Sequence, residues 1–275
     1  MRLPVYQMSD QVEQAPGRIE VEDLEASDGA DPTKITGGYV IETDLHEGTH
    51  YSALKRIKMS YKYPKDDDCD PAQYEYITKF INEAERVLYS ENFKDPVNGW
   101  RKYFDEKTLA DFIIIKEFVG DLDGYTSTYM YKRRGVDKLF FGPIWDCDKG
   151  WDNDKRVPHP EHAPLESLMI YAGFWMPEYV SYDWFQRLWE DETLRQFVAD
   201  RWASKKAELQ AVTEKVLDEI PTKMGKAIEA NFEVWPFYYQ FSDEAKMPAE
   251  TYTKELERIK ELSEKRAALL DKLLK

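Results

Sequence analysis

The sequence has two cysteines and four histidines in 275 residues, too few for a disulfide framework or a zinc cluster. Long apolar runs are missing too. Nothing approaches the roughly 18–20 consecutive apolar residues a membrane-crossing helix requires, and the first residues lack the basic-then-apolar layout of a secretion signal. Basic residues are outnumbered, 38 against 53 acidic, for a formal charge of −15. Such a field repels a phosphate backbone. It argues against nucleic acid as a partner and in favour of a metal cation or a basic protein.

What is present suffices to build a core: 42% of residues are hydrophobic and 14% aromatic. Short β-like runs at 5–8, 18–21 and 39–43, broken by Pro16-Gly17 and by the acidic stretch 25–32, make residues 1–60 read as part of a small β-rich lobe. The run 5–8 begins so close to Met1 that the chain reads as trimmed at its N-terminal side. Residues 61–70, with Pro64 and three consecutive aspartates, read as a polar solvated loop.

The remainder, 61–275, is expected to be mainly helical. Apolar residues at helical spacing predict helices over 71–88, 106–118 and 184–189. A further helix is predicted over 192–220, with Pro221 as a break, then 223–232 and 248–275. Two strands, 129–131 and 138–141, joined by Arg133-Arg134-Gly135, predict a hairpin. The class is α+β.

The hairpin's outgoing strand runs into four aspartates within nine positions: Asp146, Asp148, Asp152 and Asp154. On an extended backbone Asp146 and Asp148 leave the same face. Adjacent carboxylates repel unless a cation or a proton lies between them, and a pair of carboxylates completed by substrate phosphates is the usual way magnesium is held. A calcium loop counted from Asp146 fails, because Trp151 stands where Gly is needed and Val157 where a bidentate Glu is needed. Each acid taken alone reads more simply as a turn or helix cap.

A second pair, Asp121 and Asp123, stands at the end of the 106–118 helix. The hairpin can fold that helix end back beside its own outgoing end, so four carboxylates are expected to converge on one cleft. Phosphoryl transfer uses such a division of labour, with one aspartate on the attacking hydroxyl and others on the ion bridging the phosphates.

Competing features read as structure. His46 and His50 have a helical metal spacing, but Gly48 lies between them and a third ligand is missing. His159 and His162 fall in a proline-rich connection. Gly37-Gly38 lacks any phosphate-cradle pattern and reads as a turn into a strand. Trp175, Trp184, Trp189, Trp202 and Trp235 would form a sugar-stacking platform if exposed, but at helical spacing they read as core.

The segments 5–13, 35–42, 105–117, Gly120-Asp121-Leu122-Asp123, 127–132 and 138–148, the last ending in Trp145-Asp146-Cys147-Asp148, resemble in order and spacing the CotH family of atypical protein kinases. The likeness covers roughly the first 155 residues. It implies an atypical protein-kinase-like fold with a truncated N-terminal lobe. It also implies ATP- and Mg²⁺- or Mn²⁺-dependent phosphorylation of a protein substrate, basic or rich in Ser and Thr, at a spore coat or cell surface.

By the same resemblance Asp123 is the catalytic acid/base and Asp146 and Asp148 are metal ligands, helped by Asp121. Asn153 matches a turn or pocket-edge position. Relatives commonly carry Asn at the place of Asp121, and their nucleotide-contacting lysine would fall before Met1. The alternative is a non-catalytic surface binding module, glycan-binding for instance, that retains the fold.

Overall fold

The computed structural model describes residues 11–29, 31–44, 48–156, 163–174, 182–235 and 251–275. Its strands are β1 Tyr39–Thr43, β2 His50–Tyr51, β3 Lys58–Tyr63, β4 Thr128–Lys132 and β5 Leu139–Phe141. Its α-helices are α1 Pro71–Leu88, α2 Glu106–Val119, α3 Tyr182–Trp189, α4 Glu192–Val234 and α5 Tyr252–Leu273. The structure is therefore mixed α+β.

The five strands form one antiparallel sheet in the order β2-β3-β1-β4-β5. Strands from both sides of residue 60 share it, and one apolar cluster runs from Leu24 to Leu274. The central strand β1 is buried on both faces, with Tyr39 and Ile41 in the main core and Val40 packed with Ile19, Val21 and Tyr129 on the other side. Both faces covered explains an uninterrupted apolar run in place of strict alternation.

α1, α2, α4 and α5 begin where a side chain can take their unpaired amides. Asp70 accepts from Ala72 N at 2.9 Å and Gln73 reaches back to Asp70 N at 3.0 Å, with Pro71 in the first turn. Asp105 accepts from Thr108 N, and Asp191 from Thr193 N, each at 2.9 Å. Gly120, at φ 67°, ψ 41°, ends α2 in the left-handed conformation glycine adopts without a Cβ penalty. That stop sends the chain directly into Asp121.

The predicted β1, α1, α2 and the β4–β5 hairpin appear within a residue or two of their expected bounds. Three readings differ. Residues 58–63 are a paired strand, although 61–70 reads as loop, because β3 lies between β2 and β1 and its Met59 and Tyr61 enter the core. Residues 18–21 form only a bridge, Ile19 to Gln14, in place of a strand.

Pro221 also fails to break α4, which runs unbroken through it. A proline inside a helix removes one hydrogen bond and crowds the preceding turn. Here α5 packs along α4, with Lys260 Nζ 3.5 Å from Asp218 and Phe232 against Tyr252 on either side of the proline. The run 5–8, His46, His159, His162 and Trp175 lie outside the described residues. His50 is buried on β2 against Tyr61, and Trp184, Trp189 and Trp202 are core residues, which leaves no sugar platform on them.

Candidate active site

α2 positions the site. It is buried around most of its circumference, with Leu109, Phe112, Ile113, Ile114 and Phe118 in the core, and its last turn carries two buried charges, Lys116 and Glu117. Beyond Gly120 the chain turns tightly: Gly124 N donates to Asp121 O at 3.0 Å and Thr126 N to Asp123 O at 2.9 Å. β4 and β5 then return the chain, in the register Met130 opposite Phe141, so that residues 145–154 land against the end of α2. Trp151 N donates to Val119 O at 2.8 Å. Gly150 packs so closely that a Cβ there would lie 2.1 Å from Val119 Cγ1.

Both acid-bearing segments thus meet, and Lys116 is their common contact. Its side chain is 1% exposed and its ammonium lies 3.1 Å from Asp121 Oδ2. It donates to the carbonyls of Trp145 at 2.7 Å and Asp146 at 3.3 Å, and lies 3.5 Å from Cys147 Sγ. Asp121 is wholly buried, and burial pushes its carboxyl up to about 6 against the opposing pull of Lys116. Its second oxygen accepts from Asp123 N at 3.2 Å. Asp121 is therefore engaged on both oxygens within the protein.

Asp123 is half-buried. Arg156 Nη2 lies 2.6 Å from its Oδ2, while its buried Oδ1 has no hydrogen-bond partner. A buried carboxylate oxygen without a partner is uncommon and costly, and such an atom is a candidate for a functional role.

Asp146 and Asp148 are exposed and face one another. Desolvation first, then the charge of Asp148 and a hydrogen bond with it, push the Asp146 carboxyl up, with Lys116 opposing. The pairing does not come from strand alternation. Asp146 sits at φ 50°, in the left-handed region a non-glycine residue seldom occupies, so a turn and not an extended strand brings the two carboxyls together. A facing pair that must share a proton or a cation suits a hard divalent ion, with substrate oxygens completing its shell.

Among the described residues no three His, Cys, Asp or Glu side chains gather closely enough to hold one ion. The four carboxylates expected to converge on one cleft therefore do not gather as ligands of one ion. Lys116 neutralises Asp121 and Arg156 takes one oxygen of Asp123, leaving Asp146 and Asp148 as the open pair. Asp154 is buried and held by Arg156, and Asn153 closes a turn by donating to Asp148 O at 3.1 Å.

Sequence reading passes over Lys116, Arg156 and Asp154 as site residues. The available signal for the first was a lysine and a glutamate inside the apolar helical run 109–118. For Arg156 no local pattern linked it to the site, since the site acid that it holds, Asp123, is 33 positions away.

The fold and site define a class: an α+β protein whose central helix and β-hairpin deliver two aspartate loops to one place. Within that class, the family model described as CotH kinase protein matches residues 5–270, and the chain belongs to that family. No curated protein and no solved structure matches it. Among the described residues no helix is long and apolar enough to cross a membrane.

Proposed function

We propose that this protein is a CotH-type phosphotransferase with a protein-kinase-like fold, moving the terminal phosphoryl group of ATP to a Ser or Thr hydroxyl of a protein. The observation that carries the reading is Asp123: one oxygen is fixed by Arg156 and the other is buried without a partner, beside the Asp146/Asp148 pair. In this reading Oδ1 orients the acceptor hydroxyl and takes its proton. Asp146 and Asp148 would hold Mg²⁺ or Mn²⁺, and the ion's contribution is to neutralise charge on the phosphates. Asp121 supports the site by holding Lys116 and is not itself a ligand.

A 540 Å³ cavity opens next to Asp146, lined by Tyr131, Arg133, Phe141, Ile144 and Trp145 together with Arg18. Its size suits a small-molecule site, and we assign it to the nucleoside part of ATP. The charge of −15 favours a basic acceptor protein, and the family favours a spore-coat or cell-surface setting.

The test is ATP-dependent phosphate incorporation with Mg²⁺ or Mn²⁺ into a panel of basic and Ser/Thr-rich proteins, beside an Asp148→Ala control. Incorporation abolished in the control supports the reading. Incorporation no higher than the control replaces it with a non-catalytic surface binding module.

A further inference from the structure

We infer that Lys116 is a positioning residue that clamps the segment carrying Asp146 and Asp148 to the segment carrying Asp121 and Asp123, so that both acid pairs keep their geometry only together. The inference deepens the phosphotransferase reading and rests on it for the roles of the acids. The clamp itself stands on contacts alone.

A lysine ammonium taken out of water is strongly disfavoured unless partners replace its hydration. Lys116 recovers them from both segments: a carboxylate oxygen of Asp121 on one side, two consecutive carbonyls and a sulfur of residues 145–147 on the other. Of these partners only Asp121 carries a charge to balance it. The carbonyl contacts fall on either side of the Asp146 α-carbon, the residue held at φ 50°. Two donations from one fixed ammonium hold that turn in a conformation an aspartate reaches at a cost.

The other fastenings do not do this. Trp151 N on Val119 O and Arg258 Nη1 on Trp151 O, at 2.8 and 2.9 Å, secure the far half of the loop. Among the described residues, Lys116 joins residues 145–147 to the Asp121 segment, while Trp145 also stands edge-on to the Tyr129 ring of β4. Space around the clamp is tight, for a Cβ on Gly124 would lie 3.2 Å from Lys116 Cδ. An apolar side chain of the same length would fill that space and hold neither segment.

The test has two arms. In the first, native-state hydrogen exchange follows the unaltered, metal-free protein in rising sub-denaturing guanidinium. The amides of Gly124 and Thr126 and that of Gly150, which donates to Cys147 O at 3.1 Å, are expected to open as one unit. Separate openings, with different denaturant dependence, would overturn the clamp without any variant having to fold.

In the second arm Mn²⁺ alone is titrated by electron paramagnetic resonance into wild type, Lys116→Met, Lys116→Arg and Asp148→Asn. Lys116→Met is expected to bind about tenfold more weakly or worse, the loss typical when a group supporting metal ligands is removed. Lys116→Arg should restore part of the affinity. A folded Lys116→Met with wild-type affinity and wild-type exchange in both segments would refute the inference. Undiminished Mn²⁺ binding by Asp148→Asn would remove the metal reading, and the exchange arm would still decide the role of Lys116.

Discussion

Arg156 reaches back from the end of the acidic loop to Asp123, its Nη2 2.6 Å from Asp123 Oδ2, while the same guanidinium is forked on the buried carboxylate of Asp154. Asp154 fixes the arginine and the arginine fixes one oxygen of Asp123, so the orientation of the remaining oxygen is inherited from two residues further along the chain. Arg156→Lys keeps the charge and loses the fork. Under the proposed phosphotransferase reading, the expected result is a kcat lower on the order of 10- to 100-fold with KM for ATP little changed, the cost of a misplaced group. Under the same reading, Asp123→Asn should cost more, about 10²- to 10⁴-fold in kcat, as removal of a proton acceptor does. Steady-state phosphate transfer measures both, and equal loss of kcat and ATP affinity in Arg156→Lys would count against this relay.

Gly150→Ala is a geometric test of how the acidic loop sits on α2. The added methyl would lie 2.1 Å from Val119 Cγ1 and 3.1 Å from Cys147 O. Overpacking of this kind costs about 1–3 kcal/mol, and here it would also lift Asp148 away from α2. Val119→Ala should relieve the side-chain clash, so the double variant is expected to be more stable than Gly150→Ala alone. A thermal-melt double-mutant cycle with no coupling would show that the loop is not seated on Val119.

The pair formed by Glu117 and Arg266 is wholly buried, with Arg266 Nη2 2.8 Å from Glu117 Oε2, and it ties α5 to the turn of α2 that precedes the site. Arg266 also donates to Ser167 O, and Glu117 accepts from Met169 N at 2.7 Å, Ile170 N at 2.8 Å and Tyr125 Oη at 2.7 Å. Arg266→Leu is expected to cost about 3–5 kcal/mol by urea denaturation, because a buried carboxylate loses its cation. Replacing both residues by Leu should not restore stability, since two backbone amides and a phenol lose their acceptor as well. Full recovery in the double variant would mean that the ion pair matters only as a pair.

Asp191 gives the protein a defined acid limb. Burial raises its carboxyl, and hydrogen bonds from the Trp100 indole, Arg101 and Thr193 more than offset this and hold it at about 2. A carboxyl depressed below its unfolded value contributes stability that is complete above about pH 4 and lost as pH falls toward 2, amounting to about 2 kcal/mol. Asp191→Asn should therefore lose stability at pH 7 and show a flatter decline between pH 4 and 2. Parallel urea titrations at several pH values check this, and an unchanged slope in the variant would contradict it.

Much of the architecture could be read from local pattern because its causes are local. Apolar spacing marks out the helices, and their ends have local causes too, Asp70-Pro71, Asp105 and Asp191 at the starts and Gly120 at a stop. For two of the readings that missed, a neighbour distant in sequence had intervened. Met59 and Tyr61 are strand residues because β1 and β2 flank them, and α4 passes Pro221 because α5 lies alongside. For Asp146 and Asp148 the pairing was legible and its mechanism was not. Alternation on a strand implied a shared face, whereas a left-handed turn supplies it.

The sequence by itself determined which residues carry negative charge, that two such pairs end an apolar helix and follow a hairpin, and that the chain is α+β. Only the tertiary structure decided which of those charges stay available. Lys116 silences Asp121, Arg156 takes half of Asp123, and Asp146 and Asp148 are left facing each other. The reason is that hydrogen bonding and helical or strand periodicity act between near neighbours along the chain, whereas the field at a carboxylate is set by whatever charge packing brings within a few ångströms, however distant in sequence.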